Sequence, residues 1–167
     1  MNFESNEALI ETYLSEPLFL YLVEKLGLQN DLPTANLRIA ECLKLLLLLP
    51  YSKGTVPASR EVDEVWHWLI LETAEYEKLC KKLPTGKFLH HRSVVFDRIE
   101  REQDSSFSRE KFQSEITEKL SWLISYRKNF GEFAVDALGY WPLTQELMRD
   151  QKINLTQLNG LLEEAGK

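Results

Sequence analysis

Apolar residues recur along this chain at steps of three and four, the period of an amphipathic helix, and almost never at the step of two that marks a strand. Ser5 stands where an N-cap is needed before Leu9, Ile10, Tyr13 and Leu14. Pro17 suits the first turn of a second helix, whose face carries Leu18, Leu22 and Leu26 and whose stop is Gly27. A third helix begins near Pro33-Thr34, carries Leu37, Ala40, Leu43 and Leu47, and ends at Pro50. Its surplus of leucines predicts burial on most sides, the mark of a central helix. Tyr51 to Ala58 reads as a loop.

Ser59 then caps a helix predicted from about Arg60 to Leu83, with Glu61 and Asp63 well placed against its N-terminal dipole. Pro84-Thr85-Gly86 ends it, and Lys87 to Val95 reads as a loop or a short extended piece. Ser108 is placed to cap a long helix through Phe112, Ile116, Leu120, Leu123 and Ile124, broken at Gly131. Pro142 opens a short helix, and Asn154 with Gln157 forms a capping pair for a last one. Val94-Val95-Phe96 is the one candidate strand. With no repeat and no shift in composition, the pattern predicts a single all-α domain over residues 1–167, built from six to nine helices.

Composition narrows the functional classes. Hydrophobic residues at 44% and charged residues at 28% supply enough apolar surface for a folded core, which excludes a disordered chain. A net charge of -6 repels phosphate backbones, so nucleic acid is not the expected partner. Two cysteines, Cys42 and Cys80, are too few for a disulfide framework. The most apolar run, Leu43 to Leu49, falls far short of the roughly 20 residues of a membrane span. The first residues, Met1 to Glu7, lack the basic start and apolar run of a signal peptide. The expectation is a soluble cytoplasmic protein acting on a small-molecule substrate or a protein partner.

The three histidines, His67, His90 and His91, fall within 25 residues of one another, and Asp63 lies one helical turn before His67. A carboxylate and two or three imidazoles form a set that binds zinc or non-haem iron and leaves positions free for water or substrate. Asp63 and His67 on the helix, with one or both of His90 and His91 from the loop that follows, are the candidate ligands; neighbours in an extended loop face opposite ways, so which of His90 and His91 points inward stays open. The competing reading is a hydrogen-bonded structural network.

On the same helix Val62, Trp66, Leu69, Thr73, Tyr76 and Cys80 form a core stripe. On a straight helix the thirteen residues between His67 and Cys80 exclude the thiol from a site at His67. Arg38, Glu41 and Lys44 read as a solvated face with an ion pair, or else Glu41 turns toward the histidines. Trp122, Tyr126, Phe130, Phe133, Tyr140 and Trp141 read as core, with an aromatic pocket wall as the functional alternative. No phosphate-cradling glycine loop, dinucleotide fingerprint or GxSxG motif is present.

The segment Pro57 to His67 (PASREVDEVWH), followed by Tyr76, Cys80, Gly86 and His90-His91, resembles the glycine-rich domain-containing protein-like family. Glu41 to Leu45, Asn129-Phe130-Gly131 and Trp141-Pro142 extend the resemblance along the chain. With only seven glycines, the chain looks like a stand-alone core domain of the bacterial kind. Arg92-Ser93 stands after the paired histidines, where members of the family often have a proline. The resemblance implies a polar site at Asp63, His67, Cys80 and His90, supported by Trp66 and Tyr76. The expectation is a small iron- or zinc-dependent enzyme with Asp63, His67 and His90 as ligands and His91 and Tyr76 as catalytic groups. Its substrate would be a small organic, amino-acid-derived molecule. The alternative is a non-catalytic helical interaction module.

Overall fold

The computed structural model describes residues 5–52, 57–91 and 109–167, the last with its side chains from residue 116 onward. Among them are eight α-helices and no strand, as the periodicity predicts. Helix α1 spans Asn6–Tyr13, and the Ser5 hydroxyl accepts from the Ala8 amide at 3.2 Å. Helix α2 spans Glu16–Lys25 with Pro17 in its first turn, and Gly27 turns the chain away at φ +68°. The candidate strand Val94-Val95-Phe96, the Ser108 cap and the side chain of Phe112 lie outside the described residues, as does the middle of the Tyr51–Ala58 loop.

Helix α3, Leu32–Leu48, is the central pillar. The Asp31 carboxylate accepts from the Thr34 amide at 3.2 Å, Pro33 occupies the first turn, and a short 3-10 turn at Leu49–Tyr51 closes the element. From Ile39 to Leu48 only Lys44 is not fully buried, because α1, α2 and the later helices Arg60–Leu71 and Arg109–Phe130 surround the pillar.

One long helix is predicted from Arg60 to Leu83; the structure has two. Helix α4 runs Arg60–Leu71 and α5 runs Thr73–Lys82, with Glu72 at φ −89°, ψ 65° between them. The Glu72 carbonyl opens the new helix by accepting from the Tyr76 amide at 2.8 Å. Neither glycine nor proline marks the break, so no local signal announces it. Thr73 is consequently exposed, whereas the rest of the predicted stripe is buried.

Helix α6 covers Arg109–Phe130 and stops where Gly131 takes φ +89°. A 3-10 turn at Leu138–Tyr140 leads to α7, Pro142–Gln151, and α8, Leu155–Ala165. Asn154 and Gln157 form the predicted reciprocal capping box. Of the late aromatics, Trp122, Tyr126, Phe133 and Trp141 are buried, and Tyr126 stacks on Phe133 at 4.0 Å. They form core rather than a pocket wall. Among the described residues no helix is long and apolar enough to cross a membrane.

Candidate metal centre

Ser59 fixes where α4 begins, and so which way Asp63 and His67 point. Its hydroxyl caps the helix at the Val62 amide, and its own amide donates to the Tyr140 carbonyl at 2.9 Å. The same hydroxyl, foremost, and the Glu61 backbone amide hold the Glu61 carboxyl below the usual carboxylate range. Asp63 and His67, four residues apart, then share one face. His67 Nδ1 lies 2.8 Å from the Asp63 carbonyl oxygen and 3.4 Å from its carboxylate Oδ2. A carbonyl only accepts, so Nδ1 is the nitrogen that donates here, and in the neutral ring Nε2 is the one with the lone pair.

The third member arrives from the strap that follows α5. Gly86, at φ +62°, turns the chain out of the helix, with its amide bonded to the Leu83 carbonyl at 2.8 Å. From there burial alternates: Leu89 is buried, His90 exposed and His91 mostly buried. His91 Nε2 meets Asp63 Oδ1 at 2.8 Å, its ring centre is 4.3 Å from that of His67, and Trp66 packs edge-on against it at 4.5 Å. Ligand atoms of Asp63, His67 and His91 all lie within 4.8 Å of one another.

The expected set of ligands changes in one position. His90 is predicted to join Asp63 and His67; it instead faces solvent, its ring 5.1 Å from that of Phe88. The reason is the alternation along the strap: with Leu89 pinned inward, the side chain that returns to the helix belongs to His91. Tyr76, expected as a catalytic group, is fully buried. Its hydroxyl accepts from Trp66 Nε1 at 2.8 Å and donates to the Leu89 carbonyl at 2.7 Å, so its proton is committed and reaches no ligand. Burial, foremost, pushes that phenol well above its ordinary range. Cys80, implied by the family resemblance, is a buried free thiol in α5 and is not one of the three clustered residues.

The three residues fit a cation. Zinc or iron held at about 2.0–2.2 Å from its N and O donors sets neighbouring ligand atoms roughly 3 Å apart. The Asp63–His91 separation of 2.8 Å is already of that size, and ligand atoms of all three residues lie within 4.8 Å of one another. Two imidazoles and one carboxylate are the donor set of the facial arrangement used by non-haem iron, and zinc accepts it too. Beside them a groove of about 470 Å³ runs along the outer face of α4, lined by Asp63, His67, Arg60, Glu61, Glu64, Trp68 and Leu71. Arg38 braces its rim, donating to the Glu61 carbonyl at 2.8 Å and pairing with the Glu64 carboxylate.

A second polar cluster, missed by the pattern, lies inside the core. Glu41 is 0% exposed. Its Oε1 accepts from Lys44 Nζ at 2.7 Å and from the Tyr126 hydroxyl at 3.1 Å, and its Oε2 accepts from Trp141 Nε1 at 2.7 Å. Glu41 therefore belongs neither to a solvated face nor to the histidine cluster. The signal was available: a carboxylate flanked by Ala40, Cys42 and Leu43 on a helix apolar nearly all round has nowhere to go but inward.

No curated protein and no solved structure matches the chain. A family model does, over residues 39–121, and its description, UCP032817-like, names no activity. This match corrects the resemblance to the glycine-rich domain-containing protein-like family, to which nothing in the comparisons points. That resemblance rested on a short Asp-x-x-Trp-His motif and a few distant residues. The chain is instead similar, from Ile39 to Ser121, to the UCP032817-like family, and that stretch contains Glu41, Asp63, His67, Tyr76, His90 and His91.

Proposed function

We propose that this chain is a small metal-dependent enzyme of the cytoplasm in which Asp63, His67 and His91 hold iron or zinc. The observation that carries the reading is the convergence of those three side chains, from a helix and a strap, at the edge of an open groove. A metal there would supply Lewis acidity, or oxygen activation if it is iron. His67 is prepared for the task, because the Asp63 carbonyl holds the Nδ1 proton and leaves Nε2 to donate its lone pair. His91 shares its Nε2 with the Asp63 carboxylate, so a cation would take the place of the hydrogen now between them, and binding would weaken as pH falls.

The groove offers Arg60 for a carboxylate and Trp68 with Leu71 for an apolar group, which suits a small organic, amino-acid-derived substrate. Elemental analysis of untagged protein tests the reading. The expected result is stoichiometric iron or zinc that disappears in His67→Ala; a metal-free protein that takes up neither ion counts against it.

One observation favours a second reading. The Asp63–His91 bond and the bond from His67 to the Asp63 carbonyl satisfy these groups without an ion, as in a structural network tying α4 to the strap. In that case His91→Ala lowers the melting temperature, no metal is found, and the partner is another protein.

A further inference from the structure

We infer that Tyr76 is a positioning residue for the proposed metal centre: its hydroxyl latches the strap after α5 so that His91 stands against Asp63 and His67. The inference rests on the metal reading for its consequence, but the latch itself is a matter of geometry. His91 comes from a segment without regular secondary structure, so its position needs an explanation that a helix would otherwise supply.

A directed chain of hydrogen bonds supplies one. Trp66 Nε1–H donates to the Tyr76 oxygen at 2.8 Å, and Tyr76 O–H donates to the Leu89 carbonyl at 2.7 Å. The chain starts on α4 one residue before His67 and ends on the strap two residues before His91. It is dry: Tyr76 is fully buried, with Trp66 and Leu89 nearly so. In such surroundings a bond lost leaves an unpaired buried acceptor, so the strap has one favoured depth. The indole that donates to Tyr76 also packs edge-on against the His91 ring, so one side chain sets both the latch and the imidazole.

The break at Glu72 makes the latch possible. On an unbroken helix, residues 66 and 76 would lie about 15 Å apart along the axis, at 1.5 Å per residue. Folding α5 back brings the indole and the phenol into contact. Outer partners of this kind typically change metal affinity by about 10–100-fold when removed.

The test is Tyr76→Phe in untagged protein, which keeps the ring and deletes the hydroxyl. Leu162→Ala, buried in α8 away from the strap, is the stability control. Two quantities are read: the NMR shifts of the His91 ring protons without metal, and the Co²⁺ dissociation constant by visible absorption. In the wild type the Trp66 ring displaces the His91 shifts from random-coil values. The expected result is that Tyr76→Phe moves them toward random coil and weakens Co²⁺ binding about tenfold or more, while Leu162→Ala changes neither. Should Tyr76→Phe fail to fold, Trp66→Phe removes the N–H that aims the hydroxyl together with part of the ring packed on His91, and is expected to weaken Co²⁺ binding severalfold. Unchanged His91 shifts with an affinity within twofold of wild type, or an equal loss in Leu162→Ala, overturns the inference. A wild type that binds no Co²⁺ overturns the metal reading and this inference's effect on affinity, while the His91 shifts still decide the latch.

Discussion

Replacing Glu41 with alanine removes the acceptor for three donors from three parts of the chain: Lys44 on α3, Tyr126 on α6 and Trp141 at the start of α7. The Lys44 side chain is only 13% exposed, so its ammonium would stay largely dehydrated with no counter-charge at 2.7 Å. Breaking a buried pair on one side costs about 3–5 kcal/mol, and a stranded indole or phenol donor costs about 1–3 kcal/mol each when no water reaches it. These costs overlap, because the cavity left by the side chain admits some relaxation, so the expected loss is about 4 kcal/mol. For a chain of this length that corresponds to a fall in Tm of roughly 8–16 °C. Urea unfolding followed by circular dichroism measures it. The double variant Glu41→Leu/Lys44→Met removes both charges and is expected to recover part of the loss, since an apolar pair avoids the stranded ammonium. A Glu41→Ala protein within about 1 kcal/mol of wild type, or a double variant no better than the single one, would refute the reasoning.

Ser59→Ala deletes the α4 cap and is expected to cost about 1 kcal/mol, read as a fall in Tm of a few degrees. The buried phenols of Tyr76 and Tyr126 have folded-state pKa values raised foremost by burial, and Tyr126 is raised further by the Glu41 carboxylate. Their contribution is complete below the unfolded value near pH 10 and declines above it, because the unfolded chain then releases protons that the fold retains. Of the six tyrosines, these two should therefore ionise only on unfolding, as a step in absorbance at 295 nm at alkaline pH. Both cysteines are buried, and burial pushes the Cys42 thiol well above its ordinary range. Neither should react with a thiol reagent in native buffer, and both should react in denaturant; rapid labelling of the native protein would contradict that placement.

Features set by neighbours in sequence could be read from the chain, and features set by tertiary contacts could not. The caps at Ser5, Ser59 and Asn154 are local bonds between residues three apart, and all three form. Gly27 and Gly131 end helices where the backbone takes positive φ, a conformation glycine adopts without strain. The pairing of Asp63 with His67 follows from helical pitch alone. The Glu72 break carries no such mark, and Thr73 left the core stripe because of it. The choice of His91 over His90 depends on a phenol thirteen residues away holding the Leu89 carbonyl, a contact invisible to periodicity. Glu41 is a different case: its i,i+3 pairing with Lys44 looks the same on a wet face as in a dry core, the apolar residues around it on α3 mark it as buried, and only its partners Tyr126 and Trp141 are set by tertiary contacts.

The most direct test is isothermal titration of zinc into untagged wild type, His90→Ala and His91→Ala. The account predicts one site in the wild type, retained in His90→Ala and lost in His91→Ala. Equal binding by the two variants, or loss in His90→Ala alone, would contradict a centre built from Asp63, His67 and His91.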